Sequence, residues 1–126
     1  GQAAMQALAA SAPGRWFSAD FVAAQAATVQ AAQAWITGTA AQGYAACCEA
    51  LAGSDLRNEL GHITAPTLLL AGASDPVTTV SDARAMLADI PGAQLAVVPA
   101  SHLSNLEAPQ AFNQAVLQFL AAAHSS

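Results

Sequence analysis

The chain has 126 residues, 3 Lys+Arg against 8 Asp+Glu and a formal net charge of -5, a length suited to one domain or part of one. Hydrophobic residues make up 55% of it, but 35 residues are alanine, so the larger apolar side chains can fill one modest core and offer no apolar run of about 18 residues to span a membrane. There is no Lys, and Arg15, Arg57 and Arg84 lie far apart, which leaves nothing to build a nucleic-acid groove or a polybasic membrane patch.

The start, Gly1-Gln2-Ala3-Ala4-Met5, lacks the basic residues and apolar stretch of a signal peptide and reads as though cut from something longer. Met5, Leu8 and Ala9 have the i, i+3, i+4 spacing of a short amphipathic helix, which Ser11-Ala12-Pro13-Gly14 should stop. Ser18-Ala19-Asp20 is a cap for a turn of helix through Phe21 and Val22. A longer helix is expected from about Gln25 to Ile36, with Val29, Ala32 and Ile36 as its stripe and Thr37-Gly38 as its end. Thr39 then has the character of an N-cap for a helix carrying Tyr44, Cys47, Cys48 and Leu51, closed by Gly53. Cys47 and Cys48 are adjacent, so on a helix they point about 100° apart. They suit neither a disulfide nor a zinc site and fit reduced thiols in a cytoplasmic protein. No period-two pattern appears in this half.

The second half alternates. Thr67-Leu68-Leu69-Leu70-Ala71, between Pro66 and Gly72, reads as a buried strand. A helix from about Val80 to Ala88, with Ser81 and Asp82 at its start, leads to the break at Pro91-Gly92. Gln94 to Val98 forms a second strand, and an amphipathic helix from about Pro109 to Ala122 places Phe112, Val116, Phe119 and Leu120 on one face. Strand, helix, strand with these connections implies a parallel β-α-β unit. The halves should meet between Gly53 and His62, giving a helical part over residues 1–53 and an α/β part over 54–126.

In open parallel sheets reactive groups gather beyond the carboxyl ends of the strands. Asp75 lies there after the first strand and His102 after the second. Adjacent strands are about 5 Å apart, so the carboxylate can orient the imidazole as in an acid–base pair. Spacing alone also admits a plainer pair of roles, Asp75 starting the turn before Pro76 and His102 serving as a polar loop residue.

The sequence resembles the C-terminal part of an α/β-hydrolase, and more narrowly the 3-oxoadipate enol-lactonases of aromatic catabolism. The resemblance rests on Arg15-Trp16-Phe17, Gly43-Tyr44-Ala45-Ala46-Cys47-Cys48, Asp55-Leu56-Arg57, Ile63-Thr64-Ala65-Pro66-Thr67-Leu68, Gly72-Ala73-Ser74-Asp75-Pro76 and His102-Leu103-Ser104-Asn105-Leu106-Glu107. It implies a helical cap, or lid, in the first half, and the last two strands and helices of the hydrolase core in the second. Asp75 would be the triad acid and His102 the triad base. The chain departs from the family at Thr79-Val80, where proline is usual. The nucleophile elbow Gly-x-Ser-x-Gly is missing. Its nearest approximation, Gly72-Ala73-Ser74-Asp75-Pro76, ends in Pro and follows the acid-bearing strand, so Ser74 is a loop serine. The serine and the oxyanion hole would lie in an N-terminal half upstream of Gly1.

Two further residues are candidates for substrate contact. Trp35 can line a pocket or pack within the lid. Arg15 can meet a substrate carboxylate, since the lactone implied by the resemblance is anionic, or take part in a structural salt bridge. Glu107 should brace the His102 loop, His62 is taken as structural, and His124 falls in a fraying tail. No metal or organic cofactor is implied. The expected partners are a small anionic lactone, the missing N-terminal half and a second copy of the chain. Another ester or carbon–carbon hydrolase of the same core, or a non-catalytic assembly module built on the helices, fits the same residues.

Overall fold

A computed structural model describes residues 1–125. The chain opens with α1 (Gln2–Ser11), whose buried side chains are Met5 and Ala9, an i, i+4 pair on one face. Pro13 does not merely end this helix. It begins α2 (Pro13–Trp16) from the first-turn position, where its missing N–H sacrifices no bond. Ser18 caps α3 (Ala19–Ala24), its Oγ accepting from the Phe21 N–H at 3.3 Å. In α4 (Ala26–Thr37), Val29 and Ala32 are buried and cluster with Phe17. Helix α1 packs along α4, and Gln33 Nε2 donates to the Ala9 carbonyl at 2.9 Å.

Thr39 is not the expected N-cap. Helix α5 (Ala41–Ala52) starts from Ala40 with no side-chain cap, while Thr39 Oγ1 donates to the Trp35 carbonyl at 2.7 Å. The hydroxyl thus satisfies the end of α4, the backward bond to residue i−4 that competes with capping. Helix α5 lies against α1 and leaves Tyr44, Leu51 and the free thiols of Cys47 and Cys48 exposed. A 3-10 turn over Arg57–His62 follows. Between residues 1 and 66 the described chain contains helices and turns and no strand.

The α/β part consists of β1 (Leu68–Gly72), α6 (Val80–Asp89) and β2 (Gln94–Val98). The strands are parallel, with Leu68 beside Gln94 and Gly72 beside Val98. Thr79 begins α6 with a reciprocal cap. Its N–H donates to Asp82 Oδ2 at 2.8 Å and its Oγ1 accepts from the Asp82 N–H at 3.1 Å. Proline at 79 would lack the N–H that this cap uses. Gly92 takes a positive φ of 69° in the turn before β2, a conformation glycine adopts without strain. A short helix absent from the sequence-based expectation, α7 (Ser104–Glu107), precedes α8 (Pro109–His124). His124 is the last helical residue. Helices α6 and α8 both pack on the two strands. Among the described residues no helix is long and apolar enough to cross a membrane.

Candidate active site

The ends of β1 and β2 continue as a tight double loop. Beyond the strands, the Ala73 N–H donates to the Val98 carbonyl at 2.8 Å and the Ser74 N–H to the Ala100 carbonyl at 3.0 Å. Gly72 permits this approach. A Cβ there would run into the Ser101 carbonyl oxygen and lie 2.6 Å from that of Ala100, inside van der Waals contact. Ser74 is exposed in the turn. The Asp75 N–H closes the turn on the Gly72 carbonyl at 3.2 Å.

Asp75 and His102 meet. The His102 Nδ1 and Asp75 Oδ2 atoms are 2.9 Å apart, with the two side chains 28% and 5% exposed. The other carboxylate oxygen, Oδ1, accepts from the Val77 N–H at 2.8 Å and the Thr78 N–H at 3.1 Å. Thr78 Oγ1 adds a bond to Oδ2 at 2.9 Å. Burial pushes the Asp75 pKa up. The hydrogen bonds from His102, Val77 and Thr78 outweigh that and hold the carboxyl below the ordinary 3.8. An ionised carboxylate only accepts, so the imidazole presents Nδ1–H to Asp75 and keeps its Nε2 lone pair free to take a proton.

The loop carrying His102 is fastened on both sides. Ser101 is buried and its N–H donates to Glu107 Oε2 at 3.3 Å. The Leu103 N–H donates to the Trp16 carbonyl at 3.0 Å. Glu107 Oε1 accepts from the Ser18 N–H at 2.7 Å, so the carboxylate braces the loop as expected and also reaches the helical half. Leu103 and Leu106 pack against the cluster of Phe17, Val29 and Ala32.

Arg15 and Trp35 line one cavity of about 410 Å³, together with Trp16, Tyr44, Thr39 and Val77 among others. Val77 joins its wall to the loop that holds Asp75. Trp35 is 58% exposed, so it is not core. Arg15 makes no ion pair among the described residues, and its guanidinium donates to Ser11 Oγ at 3.0 Å. His62 stands apart on the 3-10 turn, 3.3 Å from Glu59 with both side chains exposed. Exposed Asp55 pairs with Arg57, which lowers the Asp55 pKa to about 2. Sequence reasoning missed Thr78. The signal was present in the spacing Asp75-Pro76-Val77-Thr78, since an aspartate opening a turn takes N–H and O–H groups two and three residues on.

The family described as TAP-like protein, among the abhydrolases, matches residues 33–125. A curated relative from Acinetobacter baylyi, 3-oxoadipate enol-lactonase 2, is 45% identical over 109 residues, which is 86% of this chain and 41% of that protein. The solved enol-lactonase from Burkholderia xenovorans has a TM-score of 0.90 at 35% identity, over 93% of this chain and 45% of its own. A solved hydrolase from Pseudomonas aeruginosa has a TM-score of 0.86 at 41% identity, over 92% and 44%. The chain thus spans less than half the length of the proteins it matches. A family match over most of the chain, joined to a parallel strand pair with an acid and a histidine at its carboxyl end, establishes that this chain belongs to the α/β-hydrolases and has the fold of their C-terminal portion.

Proposed function

We propose that this chain carries the acid and the base of a serine-type enol-lactone hydrolase in aromatic-compound catabolism, acting on 3-oxoadipate enol-lactone. The observation that carries the reading is the bond between Asp75 and His102, which leaves His102 Nε2 unoccupied by the acid. The 45% identity to a 3-oxoadipate enol-lactonase supports the choice of ester. A serine from a segment outside this sequence attacks the lactone carbonyl while His102 Nε2 takes its proton. The ring C–O bond breaks, and the departing enol oxygen receives that proton from His102. Water then attacks the acyl group with His102 again as base, and the serine recovers its proton. The product leaves as the enol of 3-oxoadipate, whose O–H proton moves to carbon to give the 3-oxo acid. Asp75 holds the imidazole in one tautomer and stabilises its cation throughout.

In this reading residues 1–53 form the lid and 54–126 the end of the core. The lactone occupies the cavity, with Trp35 as an apolar wall and Arg15 meeting the substrate carboxylate; a guanidinium is suited to such a partner. The exposed free thiols of Cys47 and Cys48 favour a reducing compartment, the cytoplasm. The test is a turnover assay with the enol-lactone. The chain alone should show none. Mixing it with a hydrolase N-terminal half bearing the Gly-x-Ser-x-Gly elbow should give hydrolysis that His102→Ala abolishes. Turnover by the chain alone that survives His102→Ala would sink the reading.

A further inference from the structure

Glu107 lies outside the acid–base pair, yet its two oxygens hold different parts of the chain. Oε1 accepts from the Ser18 N–H at 2.7 Å and Oε2 from the Ser101 N–H at 3.3 Å. Ser18 begins α3, so its N–H has no partner within that helix. Ser101 directly precedes His102. On the other side of His102, the Leu103 N–H is bound to the Trp16 carbonyl at 3.0 Å. Both neighbours of the imidazole are therefore tied to the segment from Trp16 to Ser18. Trp16 in turn lines the cavity, and Phe17 is buried at 3% exposure with Leu103 and Leu106 packed on it.

We propose that Glu107 is a positioning residue that fixes His102 against the segment following the cavity-lining Trp16. It does so as a strap, tying the backbone of Ser18 to that of Ser101, beside the imidazole. A carboxylate suits the task because both oxygens accept. Glutamine has the same shape but only one accepting oxygen, so it can hold one end and not both. The strap is a property of this chain; its effect on turnover rests on the hydrolase reading above.

The test uses Glu107→Gln and Glu107→Ala, and two independent readouts. Residue-resolved hydrogen exchange on the chain should show at least one of the Ser18 and Ser101 amides exchanging about tenfold faster in Glu107→Gln, and both in Glu107→Ala. In the enzyme assembled with an N-terminal half, Glu107→Gln should lower kcat about tenfold with KM nearly unchanged, because the imidazole is misplaced while the cavity is intact. Should Glu107→Ala fail to fold, the isosteric Glu107→Gln still decides. Unchanged exchange at both amides, or a lowered melting temperature with unchanged kcat, overturns the proposal. Faster exchange alongside a wild-type complex that forms on size exclusion yet does not cleave the lactone retains the strap and removes the enol-lactone reading instead.

Discussion

Asp75 receives hydrogen bonds from the Val77 N–H, the Thr78 N–H, Thr78 Oγ1 and His102 Nδ1. Burial alone would make this carboxyl harder to ionise, and these donors reverse the effect. Because its folded pKa lies below the unfolded value of 3.8, the ionised group stabilises the fold at pH above that value. This contribution is lost as pH falls through the folded pKa. Denaturation midpoints of the wild type should therefore drop as pH is lowered below 3.8, and Asp75→Asn should lack that component of the fall. Parallel profiles for the two proteins would contradict the assignment. The places of Asp75 and His102 after two consecutive apolar runs admitted their pairing beside plainer loop roles, and the family resemblance favoured it. The donors that keep the acid ionised were less visible, since two are backbone N–H groups that sequence does not mark.

At the scale of the elements, local chemistry located most of the structure. The expected bounds of β2, Gln94 to Val98, are those observed, and β1 is displaced by a single residue. The misses share a cause. Thr39 has the right side chain for an N-cap, and the carbonyl at Trp35 competes for it. Helix α7 is too short to show a period, and it is held by tertiary contacts. Ser104 is buried there and Leu106 packs on the cluster around Phe17. Gly72 is the position where an element is most sharply constrained by its neighbour. Gly72→Ala would push a methyl group into the backbone carbonyls of Ser101 and Ala100, which no rotamer change can relieve. The expected loss is about 1–3 kcal/mol of stability, measured by chemical denaturation. An unchanged midpoint would show that the loop yields freely.

For the whole molecule, the limiting fact is the small interior. Each strand has its partner on one edge and no strand on the other among the described residues. Large apolar side chains remain exposed, including Leu51 at 75%, Leu56 at 65% and Leu117 at 66%. Open strand edges and apolar surface favour association. The isolated chain should form oligomers at about 100 μM, within the range where such surfaces drive assembly, as read by light scattering after size exclusion. A strict monomer at that concentration would argue against the exposed faces as contact surfaces. The bracing of the His102 loop by Glu107 was expected, but its second bond, to Ser18, was illegible for a reason of the same scale. It joins residues 89 apart, and contacts across such a distance leave no local pattern in the sequence.

That distance also bears on the order of folding. The acid and the imidazole are separated by 27 residues, whereas Ser18 and Glu107 are separated by 89. Loop-closure entropy grows with the logarithm of length, so the longer closure costs about 1 kcal/mol more. The β-α-β unit can close first and bring Asp75 to His102, with the helices docking afterwards. Contacts of high sequence separation form late and slowly, so the bonds that dock the two halves, Ser18 to Glu107 and Leu103 to Trp16, should be the last to acquire native protection during refolding.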